Sequence, residues 1–179
     1  MTAATAEFAE RGIAGARVDR IASTARVNKR AIYDYFKDKD GLFDAVMDAH
    51  IEQIIDAVPI DATDLPEYAG RLFTYMVEHP EVTRLLTWAR LERRLGPTAH
   101  AHSAKSYGHR LAAIEAAQQS GQVPADYTPA QLLALIESIA NGWTQTTTAT
   151  FLTIEEDDPT QLHQQQRQLI VETVHRLLV

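Results

Sequence analysis

The chain contains no cysteine. That excludes disulfide staples, thiolate metal sites and cysteine-based redox sensing, and it suits the cytosol. Glycine and proline are sparse, eight and seven in 179 residues, and strand-like alternation is nowhere sustained. The expected class is therefore all-α, with length enough for a core in one compact unit or two small helical subdomains. No segment approaches the roughly 18 uninterrupted apolar residues of a membrane helix. Thr2 to Glu10 carries Glu7 and Glu10 and does not read as a signal peptide. Nucleophile elbow, phosphate loop and dinucleotide fingerprint are all missing. Glu172-x-x-His175 has the i, i+3 spacing of a di-iron ligand pair, but it has no second copy, and His100-x-His102 has no carboxylate close by in sequence. Both pairs read as surface residues. Neither metal nor cofactor is expected, and the chain does not read as an enzyme.

Positive charge is also short overall, with a formal net charge of −7, but it is unevenly placed. Residues 11–39 hold eight Lys and Arg (Arg11, Arg17, Arg20, Arg26, Lys29, Arg30, Lys37 and Lys39) against Asp19, Asp34 and Asp38, a local balance of +5. Residues 51–179 hold nine basic and sixteen acidic side chains, a balance of −7. A basic segment joined to an acidic body is the electrostatic footprint of a nucleic-acid-binding module.

Within the basic segment, Val18, Ile21, Ala22 and Ala25 mark one face of a short helix. Arg26-Val27 makes a tight connection. Asn28 then suits an N-cap, accepting from the backbone N–H of Ala31. Lys29 and Arg30 occupy the first turn of the second helix, where the helix dipole disfavours cations unless an anion is met there. Ala31 is small enough for close approach to a groove wall, and Tyr33 and Tyr35 can offer hydroxyls to phosphates. Upstream, Ala3 to Glu10 forms another helix, with Gly12 placed for a left-handed C-cap and Ile13 folding back on Phe8. Helix, turn and capped helix make a helix-turn-helix, whose second helix enters the major groove. The expected base contacts are Lys29 and Arg30; the expected phosphate contacts are Arg17, Asn28, Tyr33, Tyr35 and Lys39.

The segment resembles the tetracycline-repressor (TetR) family of bacterial transcription regulators. Phe8-Ala9-Glu10-Arg11-Gly12, Val18, Ile21-Ala22, Ala25, Val27, Tyr33, Tyr35-Phe36, Lys39 and Leu42 carry the resemblance, over roughly the first quarter of the chain. Three positions depart from the family pattern. Arg17 stands where a Thr commonly caps the second helix. Arg26 replaces the usual turn glycine, which is tolerable only if that position is not left-handed. Gly41 replaces the Glu that would complete a capping box with Asp38.

Beyond the head, Leu42, Phe43, Val46, Met47, Ile51, Ile54, Ile55 and Val58 recur at helical spacing until Pro59. This fourth helix is continuous with the head at one end and buried in the body at the other. A fifth helix runs from Leu65 to His79, and a sixth carries Val82, Leu85, Leu86 and Ala89 and ends near Gly96-Pro97. A seventh spans about Ala99 to Gln119. Thr128-Pro129 and Asp158-Pro159 open an eighth and a ninth. The run Glu155 to Asp158 reads as a solvated loop. The resemblance implies that the eighth and ninth helices of two subunits pair as a four-helix bundle, with Leu135, Ile139, Leu169 and Leu177 as contacts. It also implies that an effector moves the fourth helix and changes the spacing of two heads. Tyr75, Trp88, Tyr107 and Trp143 serve either core packing or an apolar ligand cavity between helices, to which Asn141 and Thr147 would add polar groups.

Residues 1–45 are accordingly expected to form the DNA-binding domain, and residues 46–179 the dimerisation and effector domain. The function expected is a cytoplasmic homodimeric repressor that binds a palindromic double-stranded DNA operator and responds to a small molecule, with no membrane partner. A regulator of the same fold controlled by a protein partner is one rival reading; an all-α metal-carboxylate enzyme is another. An Arg or Lys bidentate to guanine contributes about 1–3 kcal/mol of discrimination. Arg30→Ala should therefore weaken operator binding and flatten base preference at one position per half-site, and an unchanged anisotropy titration would refute the placement of this helix.

Overall fold

The computed structural model describes residues 1–92, 101–145 and 158–179. Among these residues the chain forms α-helices and one 3-10 turn, with no strand. The helices are α1 (Thr2–Gly15), α2 (Val18–Ala25), α3 (Lys29–Phe36), α4 (Lys39–Ala57), α5 (Leu65–Glu78), α6 (Pro80–Glu92), α7 (Ala101–Gln119), α8 (Pro129–Gly142) and α9 (Pro159–Leu177). None of the described helices is long and apolar enough to cross a membrane. His100, Thr147, the Gly96-Pro97 stop and the run from Glu155 to Asp157 lie outside the described residues.

Two compact units result: Met1–Gln53 with His79–Ser103, and Ile54–Glu78 with Ala104–Val179. The division falls inside α4, and α6 packs with the N-terminal helices. Phe8, Ile13, Val18, Ile21, Ile32, Phe43, Val46 and Leu85 form the buried core of the first unit. Phe8 meets Phe43 edge-to-face at 5.1 Å between ring centroids, a favoured aromatic geometry.

Gly12 is not the left-handed cap expected from its sequence position. Its φ of 70° comes with a ψ of 179°, so α1 kinks there and then resumes to Gly15. That backbone region is essentially restricted to glycine. A kink frees backbone groups that must find partners elsewhere. α6 supplies them: the Trp88 indole N–H donates to the Ala9 carbonyl at 3.3 Å, and Glu92 Oε2 accepts from the Ala14 N–H at 2.6 Å.

In the second unit α5 packs against both α8 and α9. Gly70 permits the close approach to α9, because a Cβ there would lie 2.8 Å from Val171 Cγ2. Glu67 of α5 pairs with Arg167 of α9. Leu72, Phe73, Met76, Ile114, Leu132, Leu133, Ile136, Ile170 and Val174 are buried. The Thr128-Pro129 opening is a full capping box, with Thr128 accepting from the Gln131 N–H and the Gln131 side chain accepting from the Thr128 N–H. Asp158 caps α9 by accepting from the Thr160 N–H at 2.8 Å.

Gly12→Ala should destabilise the protein by about 2–4 kcal/mol, through backbone strain and a Cβ clash with the Trp88 ring. A Cβ built there lies 2.9 Å from Trp88 Cε3. A denaturant midpoint within error of wild type would show that the kink tolerates a side chain.

Candidate nucleic-acid interface

Three turns orient the helix-turn-helix. At the first, Arg17 is the extended N-cap of α2 and its side chain makes no cap bond. The cap comes from α1 instead: Glu7 Oε1 accepts from the Arg17 N–H at 2.9 Å and from Arg20 Nε at 2.8 Å. Arg20 also donates to the Gly15 carbonyl at 2.9 Å. The Arg20 guanidinium holds the Glu7 carboxyl below its ordinary range, with the Arg17 N–H and Arg11 adding to the effect and desolvation opposing it.

At the second turn Arg26 is left-handed, so the condition for replacing the turn glycine without strain is not met. Its φ is 56° and its ψ 40°. The Val27 N–H bonds the Ala22 carbonyl at 3.0 Å, the six-to-one bond of a Schellman motif. Arginine thus occupies the position that glycine fills at least cost, with a penalty of about 1–2 kcal/mol. At the third turn, Lys37 has φ 68° and ψ −55°, and the Asp38 N–H bonds the Phe36 carbonyl at 2.9 Å. This is the strained γ-turn.

Between the last two turns lies α3. Asn28 caps it, but through the Arg30 N–H at 2.8 Å rather than that of Ala31. Ile32 is its one buried residue. Lys29, Arg30, Ala31, Tyr33 and Tyr35 are all exposed, so the expected DNA-facing residues share the outer surface of one helix. Lys29 Nζ lies 2.8 Å from Asp19 Oδ1 and 5.8 Å from the centre of the Tyr33 ring. The hydrogen bond to Asp19 raises the Lys29 pKa. Arg30 Nε is 3.8 Å from Asp34 Oδ2. Lys39 stands apart from this surface. Its ammonium donates to the carbonyls of Ala14 and Ala16 at 3.2 and 3.3 Å, bracing the link between α1 and α2.

The candidate ligand residues do not gather in one unit. Trp88 belongs to the first, bonded to Ala9 as described. Tyr75, Tyr107, Asn141 and Trp143 belong to the second. Thr144 bonds back to the Asn141 carbonyl at 2.8 Å, which accounts for one threonine of that run by helix-end geometry. A polar cluster in the second unit includes Tyr107, a candidate from the sequence, and three residues that the sequence did not single out, Tyr68, Arg110 and Glu137. Tyr68 is fully buried, and its hydroxyl has no hydrogen-bond partner among the described residues. Burial pushes its pKa up to about 12, with Arg110 and Arg71 opposing the rise and Glu137 and Tyr107 adding to it. Arg110 Nη1 bonds Glu137 Oε1 at 2.8 Å, and the Tyr107 hydroxyl lies 3.4 Å from Glu137 Oε2. Desolvation raises the Glu137 pKa despite that arginine. Tyr107 and Arg110 share α7, but Tyr68 lies on α5 and Glu137 on α8, so only the folded packing reveals the pairing of α7 with Glu137. The candidate dimer residues Leu135 and Leu169 are 38% and 45% exposed, and Ile139 and Leu177 are half-buried.

A capped helix presenting cations and tyrosines, anchored by one apolar residue on a helix-turn-helix, defines a DNA-binding transcription regulator. Comparison with known proteins agrees. Residues 1–46 match the family described as "Bacterial regulatory proteins, tetR family", and residues 64–176 match "Tetracyclin repressor-like, C-terminal domain". The chain is 39% identical over 140 residues to the HTH-type transcriptional repressor SCO4008 of Streptomyces coelicolor, covering 78% of this chain and 73% of that one. It is 32% identical over 133 residues to the HTH-type transcriptional repressor NicS of Pseudomonas putida, covering 68% of this chain and 62% of that one. The crystal structure of the putative transcriptional regulator SCO4942 from Streptomyces coelicolor superposes with a TM-score of 0.82 at 38% identity, over 98% of this chain and 94% of that one. The chain belongs to the tetracycline-repressor family of transcription regulators, and it is not an enzyme.

Because Glu7 has a folded pKa below its unfolded one, its contribution to stability is present above the unfolded value and is lost as pH falls through the folded value. Glu7→Gln keeps an acceptor for the Arg17 N–H but loses the charge that pairs with Arg20, and should cost up to about 1 kcal/mol near neutrality after solvent screening. The cost should shrink as the pH is lowered into the acid range. Parallel stability curves for the two proteins from neutral to acid pH would refute this role.

Proposed function

We propose that this chain is a cytoplasmic homodimeric repressor that binds a palindromic operator and is released by a small-molecule effector. The observation that carries the reading is the outer surface of α3, where Lys29, Arg30, Ala31, Tyr33 and Tyr35 are exposed together while Ile32 anchors the helix. Lys29 and Arg30 read base edges; Arg17, Tyr33 and Tyr35 meet phosphates. Asn28 serves the interface by fixing the first turn of α3. Lys39 keeps one ammonium hydrogen for a phosphate while the others brace the α1–α2 link. Repression is proposed because two relatives of 39% and 32% identity are named repressors.

The dimer is proposed to form through α8 and α9. Support comes from Leu135 and Leu169, large apolar residues exposed on two helices that touch each other. The effector is proposed to bind in the second unit, near Tyr75, Tyr107, Asn141 and Trp143. The buried and unpartnered Tyr68 hydroxyl supports that placement, since a buried polar group without a partner costs about 1–3 kcal/mol.

Selection of duplexes from a random pool should recover a palindrome. Ile139→Glu should yield monomer or aggregate and lose tight binding to it, because the charge would be buried unpaired. A soluble dimer of normal affinity would place the interface elsewhere. A compound that binds the second unit should release operator, and saturating operator should weaken its binding by the same factor. Binding without release would favour control by a protein partner.

A further inference from the structure

Most cations of the head already have partners within the protein. Arg11 and Arg20 share Glu7, Lys29 meets Asp19, Arg30 approaches Asp34, and Lys39 bonds two carbonyls. The side chains of Arg17, Arg26 and Lys37 make no ion pair or hydrogen bond among the described residues, and Arg26 and Lys37 are exposed. Arg26 and Lys37 share a second property. Among the described residues they are the only two non-glycine residues with positive φ. Neither strained turn needs a side chain for its own geometry, because glycine fits a left-handed C-cap and a γ-turn better than any L residue. A cation held at each site against its backbone preference has its use outside the fold.

Their positions say what that use is. Arg26 lies two residues before Asn28, the cap of α3, and Lys37 immediately follows its last residue. The eight residues of α3 span about 12 Å, close to the roughly 12 Å width of the major groove. A helix seated there has one unpaired cation at either end, toward the phosphate walls.

We propose that Arg26 and Lys37 are phosphate-binding residues that clamp α3 between the two DNA backbones, each retained at the expense of turn stability. The proposal rests on α3 being the helix that meets DNA. Phosphate contacts carry no base information and act through counterion release, so each adds about 0.9 to the steepness of the salt dependence. Asparagine tolerates a positive φ and is uncharged, so Arg26→Asn and Lys37→Asn remove the charge with the turn kept.

The test is fluorescence anisotropy on a labelled duplex of arbitrary sequence and on a selected operator, across a salt series. Each Asn variant should bind both duplexes about five- to tenfold more weakly per lost contact near 0.1 M salt, lower the slope by about 0.9 per contact, and leave base preference intact. Arg26→Lys should restore the slope. Arg26→Gly should show the same binding loss together with a raised thermal midpoint. An unchanged slope in either Asn variant overturns the assignment for that residue, as does a change in base preference without a change in slope. The underlying reading fails differently: a Lys29→Ala, Arg30→Ala double variant that keeps wild-type base preference removes α3 from the groove altogether.

Discussion

Ile32 is the only residue of α3 that reaches full burial, with Phe36 packed at the margin of the same core. A helix whose outward surface stays exposed cannot be fixed by burying more of itself. Its direction depends on what surrounds it. The Schellman turn at Arg26 sets how α3 departs from α2, the γ-turn at Lys37 sets how it passes into α4, and Asn28 fixes its first turn. α2 is located in turn by Glu7, which supplies from α1 the cap that Arg17 does not. α1 is held by Trp88 and Glu92 of α6 at the Gly12 kink. Each support is one element removed from the last, and together they substitute for core that α3 does not have.

Charge in the head follows the same economy of contacts. A count over residues 11–39 suggests a uniformly basic surface, but the folded arrangement divides the cations by task. Arg20 neutralises and positions the capping carboxylate, Lys39 braces backbone carbonyls, and Lys29 is steered by Asp19. An exposed ion pair in high dielectric binds weakly, so Lys29 can exchange Asp19 for a base edge or a phosphate at small cost. Asp19 also repels phosphate.

The helices were legible because their apolar residues recur at 3.6 spacing and their ends carry local signals: Thr128-Pro129 and Asp158-Pro159 are caps in the fold as in the sequence. Asn28 was legible as a cap, although the N–H it accepts from was not, since N2 and N3 donors lie equally near the side chain. Gly12 was legible as a special position, but its ψ was not, because the kink depends on Trp88 and Glu92 far along the chain. The left-handed geometry of Arg26 was not legible, for the opposite reason. Local preference argues against a left-handed arginine, and the packing of α2 against α3 overrides it. Glu7 shows a third kind of illegibility. A missing Thr at position 17 looks like a lost cap until α1 folds across and replaces it.

The second unit poses the converse problem to α3, a polar cluster where burial is plentiful. Arg110 and Glu137 neutralise each other, with the Tyr107 hydroxyl near the carboxylate, yet Tyr68 brings a hydroxyl into the core that has no hydrogen-bond partner among the described residues. Replacing that tyrosine by phenylalanine would remove an unsatisfied group and lose no hydrogen bond, so folding alone gives no reason to prefer the hydroxyl. The Arg110–Glu137 pair likewise contributes little net stability in such surroundings, where desolvation offsets attraction.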